Sequence, residues 1–210
     1  MICNQFAEHY YKSLPGYFDF EQVYLDAIEW IPDGGTFVEV GCWQGQSLAF
    51  LLVEAHNSGK QIKVFGCDHF LGSAGDGPLL HEAELKSIAA HCMNNLRRAS
   101  YPYALIKADS VTASTFFADE SIDYCFIDAG HHYEEVKADL EAWLPKMKPT
   151  GIMAGHDYNQ APVSKAVDES FCDRYVTHIE MDRCYYPNGY TWGTCWRVRL
   201  QEPEVLGVIM

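Results

Sequence analysis

One stretch constrains this chain more than any other: SIDYCFIDAGHHYEEVKADLEAWLPKMKPTGIMAGHDY, from Ser121 to Tyr158. It reads as strand, loop, amphipathic helix, strand, loop. The strands, Ile122 to Ile127 and Gly151 to Ala154, are apolar runs of the kind buried on both faces of a parallel sheet. The helix between them sets Val136, Leu140, Trp143 and Leu144 on one side. Each strand stops at ligand-type residues: Asp128 with His131 and His132 after the first, His156 with Asp157 after the second. In an open α/β sheet, chemistry sits beyond the carboxyl ends of parallel strands. The segment therefore predicts both a fold and a place to gather a cation, or a proton donor and acceptor.

The rest of the chain repeats the alternation. Phe20 to Trp30 carries a helical apolar stripe, stopped by Pro32-Asp33-Gly34-Gly35. Thr36 to Val40 is a short β-favouring run, Gly41 to Gly45 a glycine-containing loop, and Gln46 or Ser47 opens a helix. Ile62 to Cys67 is a second strand ending at Asp68. A glycine-rich loop, Leu71 to Pro78, leads to a helix with Leu85, Ile88, Ala89, Cys92, Met93 and Leu96 on one face. Tyr103 to Lys107 is a third strand, ending at Asp109-Ser110, and Pro162 to Phe171 a further short helix. Tyr175 to Glu180 and Thr194 to Leu200 form a β-pair across the loop CYYPNGYTWG. Strands alternating with helices predict an α/β fold. We expect a Rossmann-like, doubly wound, mostly parallel seven-stranded sheet with an antiparallel C-terminal hairpin strand. One domain spans residues 1–210, with 1–31 as an N-terminal helical extension. The aromatics Tyr10, Tyr11, Tyr17, Phe18 and Phe20 of that extension serve either as a lid or, the favoured reading, as packing against the core.

Composition narrows the function. A net charge of −14 argues against nonspecific nucleic-acid or anionic-membrane binding. No apolar run reaches the roughly 18 residues of a spanning helix, and the N-terminus lacks the pattern of a signal peptide. The eight cysteines are scattered singly, without a Cys-x-x-Cys, as reduced thiols of a cytoplasmic protein are.

Four consecutive strands end at or near an acid: Glu39, Asp68, Asp109 and Asp128. The first loop, FVEVGCWQGQS, is neither the G-x-G-x-x-G dinucleotide fingerprint nor a P-loop. Its glycines let the backbone turn tightly and approach a ligand, and Ser47 offers a hydroxyl at the helix start. Together with FIDAGHHYEEVKADLEAW and KPTGIMAGHDY, this loop resembles the class I S-adenosylmethionine-dependent methyltransferases. The resemblance is narrowest to small methyltransferases with D-H-S-Y-E and G-H-D-Y motifs, and runs from about Pro15 to Phe171. Two residues depart from that pattern: Gly130 stands where the family usually has an acid, and His132 where it usually has Ser.

The resemblance implies that Glu39, Gly41 and Gly45 line the methionine end of the cofactor, with Ser47 at the helix start. It implies that Asp68, with His69 beside it, holds the ribose, and that Asp109 and Ser110 contact the adenine. Asp128 is shared between cofactor and acceptor. For the acceptor side two readings stand. Asp128, His156 and Asp157 hold a divalent metal, Mg²⁺ or Mn²⁺, that activates a hydroxyl. Alternatively His131 or His156 is a general base. A bracing role for His156 and Asp157 is the third possibility. The expected reaction is O-methylation of a small molecule with a sugar, polyketide-like or aromatic hydroxyl, without nucleic acid or membrane, by a homodimer. A non-catalytic cofactor-binding relative and a nicotinamide-dependent oxidoreductase are the alternatives.

Overall fold

The structure, a computed structural model, describes residues 6–72, 87–171, 180–183 and 194–200. Leu85, most of the glycine-rich loop after Leu71, the start of the first tail strand and the CYYPNGYTWG loop lie outside the described residues.

Five parallel strands form the frame: β1 (Thr36–Val40), β2 (Lys63–Asp68), β3 (Tyr103–Lys107), β4 (Ile122–Ile127) and β5 (Met147–Gly155). The tail strands β6 (Glu180–Arg183) and β7 (Thr194–Arg199) follow, with β7 antiparallel to both β5 and β6. The order across the sheet is β3-β2-β1-β4-β5-β7-β6. Six of these strands are described with their side chains, and β6 by its backbone alone. The fold is the expected Rossmann-like one. Strand order reverses between β1 and β4, so the switch-point crevice opens above their carboxyl ends.

The helices are α1 (Glu21–Trp30), α2 (Gln46–Ser58), α3 (Ile88–Leu96), α4 (Ser110–Ser114), α5 (Tyr133–Trp143) and α6 (Ala161–Phe171). Alternation along the strands feeds two cores. Phe37, Tyr124 and Phe126 face one side with Tyr24, Leu48, Leu51 and Leu52. Val38, Val40, Cys125 and Ile127 face the other with Val136, Leu140, Trp143 and Val167. Glu39 shares the face of Phe37 two residues earlier, so its carboxylate enters the α1–α2 side.

Several expected boundaries shift. β5 begins at Met147 and runs through Pro149, because a register irregularity between Ile122 and Tyr124 absorbs the missing proline N–H. α3 buries Ile88, Cys92 and Leu96, one per turn, but leaves Met93 59% exposed, off the predicted face. α4 follows β3 directly because Asp109 caps it, accepting from the Thr112 N–H at 2.9 Å.

Before α1 the chain is not a continuous helix. It makes one 3₁₀ turn, Tyr11–Ser13, and then an extended run. Tyr10, Tyr11, Phe18 and Phe20 are buried there in the core, while Tyr17 is exposed. Gln46 Nε2 ties this segment down by donating to the carbonyls of Tyr11 and Leu14. Cys42, Cys67, Cys92, Cys125 and Cys195 are buried free thiols. Among the described residues no helix is long and apolar enough to cross a membrane.

Candidate active site

The glycine loop after β1 is shaped by its neighbours. Gly41 has φ +88°, donates its N–H to the Cys67 carbonyl at 2.8 Å, and passes so close to β4 that a Cβ would stand 1.9 Å from the Asp128 oxygen. Gly45, at φ +81°, is the N-cap of α2. Between them Trp43 takes φ +46°, held by donation of its N–H to Asp68 Oδ2 at 2.8 Å. Asp68 Oδ1 accepts from the Phe70 N–H at 2.5 Å. One carboxylate thus staples the β1 and β2 loops, and each oxygen retains a lone pair for a further donor.

Glu39 is buried beneath this loop. Ser47 donates its hydroxyl to Oε1 at 2.5 Å, while Oε2 has no hydrogen-bond partner among the described residues. Burial pushes the Glu39 carboxyl up to about 8, against the smaller lowering influence of Ser47 and of Tyr24 beside it. At pH 7 the group is mostly protonated, a state that a bound cation would reverse.

The other predicted cofactor residues differ in availability. His69 is partly exposed and accepts the Leu71 N–H on Nδ1 at 2.9 Å. Asp109 is exposed as the α4 cap. Ser110 instead turns to the opposite helix layer: its hydroxyl accepts from Trp143 Nε1 at 2.9 Å and helps hold the buried Asp139.

On the acceptor side, the ladder sets Ile127 opposite Gly155, so the loops after β4 and β5 leave the sheet abreast. The His156 N–H continues the ladder to the Ile127 carbonyl at 3.1 Å. Gly155 is required here, since a Cβ would meet the Ile127 oxygen at 2.5 Å and the Trp196 ring at 2.6 Å. Asp157 follows with φ +59°. Two imidazoles converge on its Oδ2: His131 Nε2 at 2.9 Å and His156 Nδ1 at 3.2 Å. Burial pushes the Asp157 carboxyl up, but hydrogen bonds from His131 and His156 outweigh it and hold the group well below the usual carboxylate range. Asp128 is pushed the other way, to about 6, chiefly by burial. Asp128, His131 and Asp157 each bring a ligand atom within 4.8 Å of the others. His156 Nδ1 also lies 3.8 Å from Asp128 Oδ1 and 3.2 Å from Asp157 Oδ2, so both imidazoles flank the two acids. On its far side, His156 Nε2 faces Asp19 Oδ1 at 3.1 Å.

The two departures from the family pattern have local causes. His132 is the N-cap of α5, the usual position of a capping Ser. Glu135 reaches back to accept the His132 N–H at 3.3 Å, and its Oε2 lies 2.3 Å from where a Gly130 Cβ would be. A side chain at 130 would compete with that cap. Sequence reasoning missed Asp19 and Glu135. The signal for Asp19 was an acid wedged between Phe18 and Phe20, two aromatics of the core.

A parallel sheet of this order, with a glycine loop at its switch point and acids at its strand ends, defines a class I methyltransferase fold. The family model described as a methyltransferase domain matches residues 38–158. The chain belongs to this family of S-adenosylmethionine-dependent methyltransferases. It resembles an rRNA methylase from Streptococcus thermophilus, at 14% identity and a TM-score of 0.61, over 90% of this chain and 100% of that one. It resembles the O-methyltransferase NovP at 16% identity and a TM-score of 0.60, over 88% and 80%. A 39-residue stretch is 44% identical to the uncharacterized protein y4gI of Sinorhizobium fredii. That match spans 19% of this chain and only 4% of y4gI.

Proposed function

We propose that the protein transfers the methyl group of S-adenosylmethionine to a hydroxyl oxygen of a small-molecule acceptor. The observation that carries this reading is the pairing of His131 with Asp157 at 2.9 Å, beside Asp128, on the sheet edge that also carries Glu39, Gly41 and Asp68. The net charge of −14 favours a small acceptor over a polyanionic RNA.

The residues present fit the cofactor. Beneath the glycine loop, Glu39 Oε2 is a buried oxygen with no hydrogen-bond partner among the described residues. Asp68 has lone pairs for the two ribose hydroxyls. When bound, the cofactor supplies an electrophilic methyl on a cationic sulfur. Glu39 and Asp128 lend negative charge to that end of the pocket. His131, its Nε2 paired with Asp157, is the base that takes the acceptor's proton in this reading. Asp157 orients the ring and offsets the charge it gains. Alignment of acceptor and methyl, with removal of one proton, is all the protein must supply.

A divalent cation is a second reading, favoured by the Asp128–His131–Asp157 trio. Two carboxylates and an imidazole suit Mn²⁺ better than Mg²⁺. Such an ion would lower the pKa of an acceptor hydroxyl.

The test is release of S-adenosylhomocysteine with a panel of hydroxylated sugars and phenols, with and without chelator. We expect turnover that survives chelation and falls roughly 100-fold or more in His131→Ala. Loss under chelator with recovery on Mn²⁺ would favour the cation. Binding of S-adenosylhomocysteine without turnover on any acceptor would mark a non-catalytic relative.

A further inference from the structure

The N-terminal segment, outside the family-matched region, brings Asp19 and Phe20 against His156. Asp19 precedes α1 in an extended stretch, and its side chain is only 2% exposed. Oδ1 lies 3.1 Å from His156 Nε2. Oδ2 is buried with no hydrogen-bond partner among the described residues. On the other side of the same ring, Nδ1 lies 3.2 Å from Asp157 Oδ2 and 3.8 Å from Asp128 Oδ1. Phe20 packs over the ring at a centroid distance of 5.1 Å and itself rests on Phe126. His156 is therefore gripped at both nitrogens by carboxylates and covered by an aromatic.

We propose that Asp19 is a positioning residue of the methyl-transfer site: it pins the His156 ring, which holds the Asp157 carboxylate against His131. A buried acid with one unpartnered oxygen is costly to keep. An apolar residue among Phe18, Phe20 and Tyr24 would pack more cheaply, so Asp19 answers a need other than core stability. The need is visible in the geometry. Asp157 Oδ2 accepts from both imidazoles, and an imidazole that loses its Nε2 anchor is held less firmly about its Cβ–Cγ bond. Swinging would withdraw one of the two donors that fix the Asp157 carboxylate, and the orientation of His131 with it. Outer partners of this kind orient the inner groups of an active site much as they orient metal ligands. The chain Asp19–His156–Asp157–His131 runs from a buried anchor to the ring that meets the acceptor.

The kinetic consequence rests on the methyl-transfer reading above, whereas the pinning itself does not, and the experiment separates them. Proton NMR of the full chain should show a downfield, slowly exchanging ring Nε2–H, assigned to His156 by its loss in His156→Gln. It should vanish in Asp19→Ala and persist, moved upfield, in Asp19→Asn, which keeps an acceptor oxygen. In turnover, Asp19→Ala should lower kcat roughly tenfold or more, with the acceptor KM and the S-adenosylhomocysteine Kd changed by less than about twofold. Asp19→Asn should recover much of that loss. In a His156→Gln background, Asp19→Ala should cost nothing further. A ring signal unchanged in Asp19→Ala, an unchanged kcat, or additive losses in the double variant would overturn the proposal. If Asp19→Ala does not fold, an unshifted ring signal in Asp19→Asn overturns it equally. Absence of wild-type turnover would sink methyl transfer, and the ring signal would still decide the pinning.

Discussion

An alanine methyl at Gly41 would stand 1.9 Å from the main-chain oxygen of Asp128. The contact joins the loop after β1 to the loop after β4 through neighbouring strands, since β1 pairs directly with β4. Neither backbone can retreat without breaking the ladder. Gly41→Ala should therefore cost roughly 3 kcal/mol or more in urea unfolding, combining strain at positive φ with a backbone clash. Gly59, at φ +71° with nothing within 4 Å of its Cβ position, is the control. Gly59→Ala should cost only about 1 kcal/mol.

Glu39 sets a pH dependence. Its folded carboxyl titrates near 8 against an ordinary 4.5, because burial disfavours the charge. The stabilisation associated with its neutral form is complete below about 4.5 and is lost as pH rises through about 8. The difference is on the order of 5 kcal/mol, an upper figure for a fully buried group. Glu39→Gln should flatten the fall in stability between those pH values and weaken the binding of S-adenosylmethionine. In the wild type, a cationic sulfonium favours the carboxylate, so affinity should rise with pH towards 8 and binding should release a proton. Calorimetry in buffers of different ionisation enthalpy reads that release.

Much of this was legible in the sequence, for physical reasons. The central strands β1 and β4 are runs buried on both faces, and the glycines and acids at the strand ends need no tertiary information to be placed on one edge. Side-chain direction was less legible. Ser110 follows Asp109 directly, yet its hydroxyl is committed to Trp143 in the other layer. His131 and His156 are the same residue type, and what distinguishes them is tertiary: Asp19, 137 residues away, and Phe20 pack against His156. Met93 was misplaced because the helical stripe alone does not say how wide the buried face is.

Gly130 illustrates a substitution whose reason lies in a neighbour. Gly130→Asp would restore the acid usual in the family but displace Glu135 from the His132 N–H. We expect a loss of about 1 kcal/mol from the weakened cap. In a Glu135→Ala background the same change should cost nothing further, which a thermal-denaturation cycle measures.

Asp123 tests whether stability and chemistry separate along the sheet. At the amino end of β4 it accepts the Thr36 N–H at 2.8 Å and pairs with Lys148 Nζ at 2.8 Å. Asp123→Ala strands a buried donor and should cost about 2–3 kcal/mol. The kcat of methyl transfer should not change, because the site lies at the opposite strand ends.

Calorimetric titration of S-adenosylhomocysteine into the wild type and Asp68→Ala tests the central claim most directly. Asp68 staples the loops after β1 and β2 through Trp43 and Phe70, and in the proposed function its remaining lone pairs go to the ribose. We predict one site per chain in the wild type, weakened roughly tenfold to 100-fold in Asp68→Ala, as for loss of hydrogen bonds to a charged group. No heat of binding in the wild type, or equal affinity in the two proteins, would contradict the account.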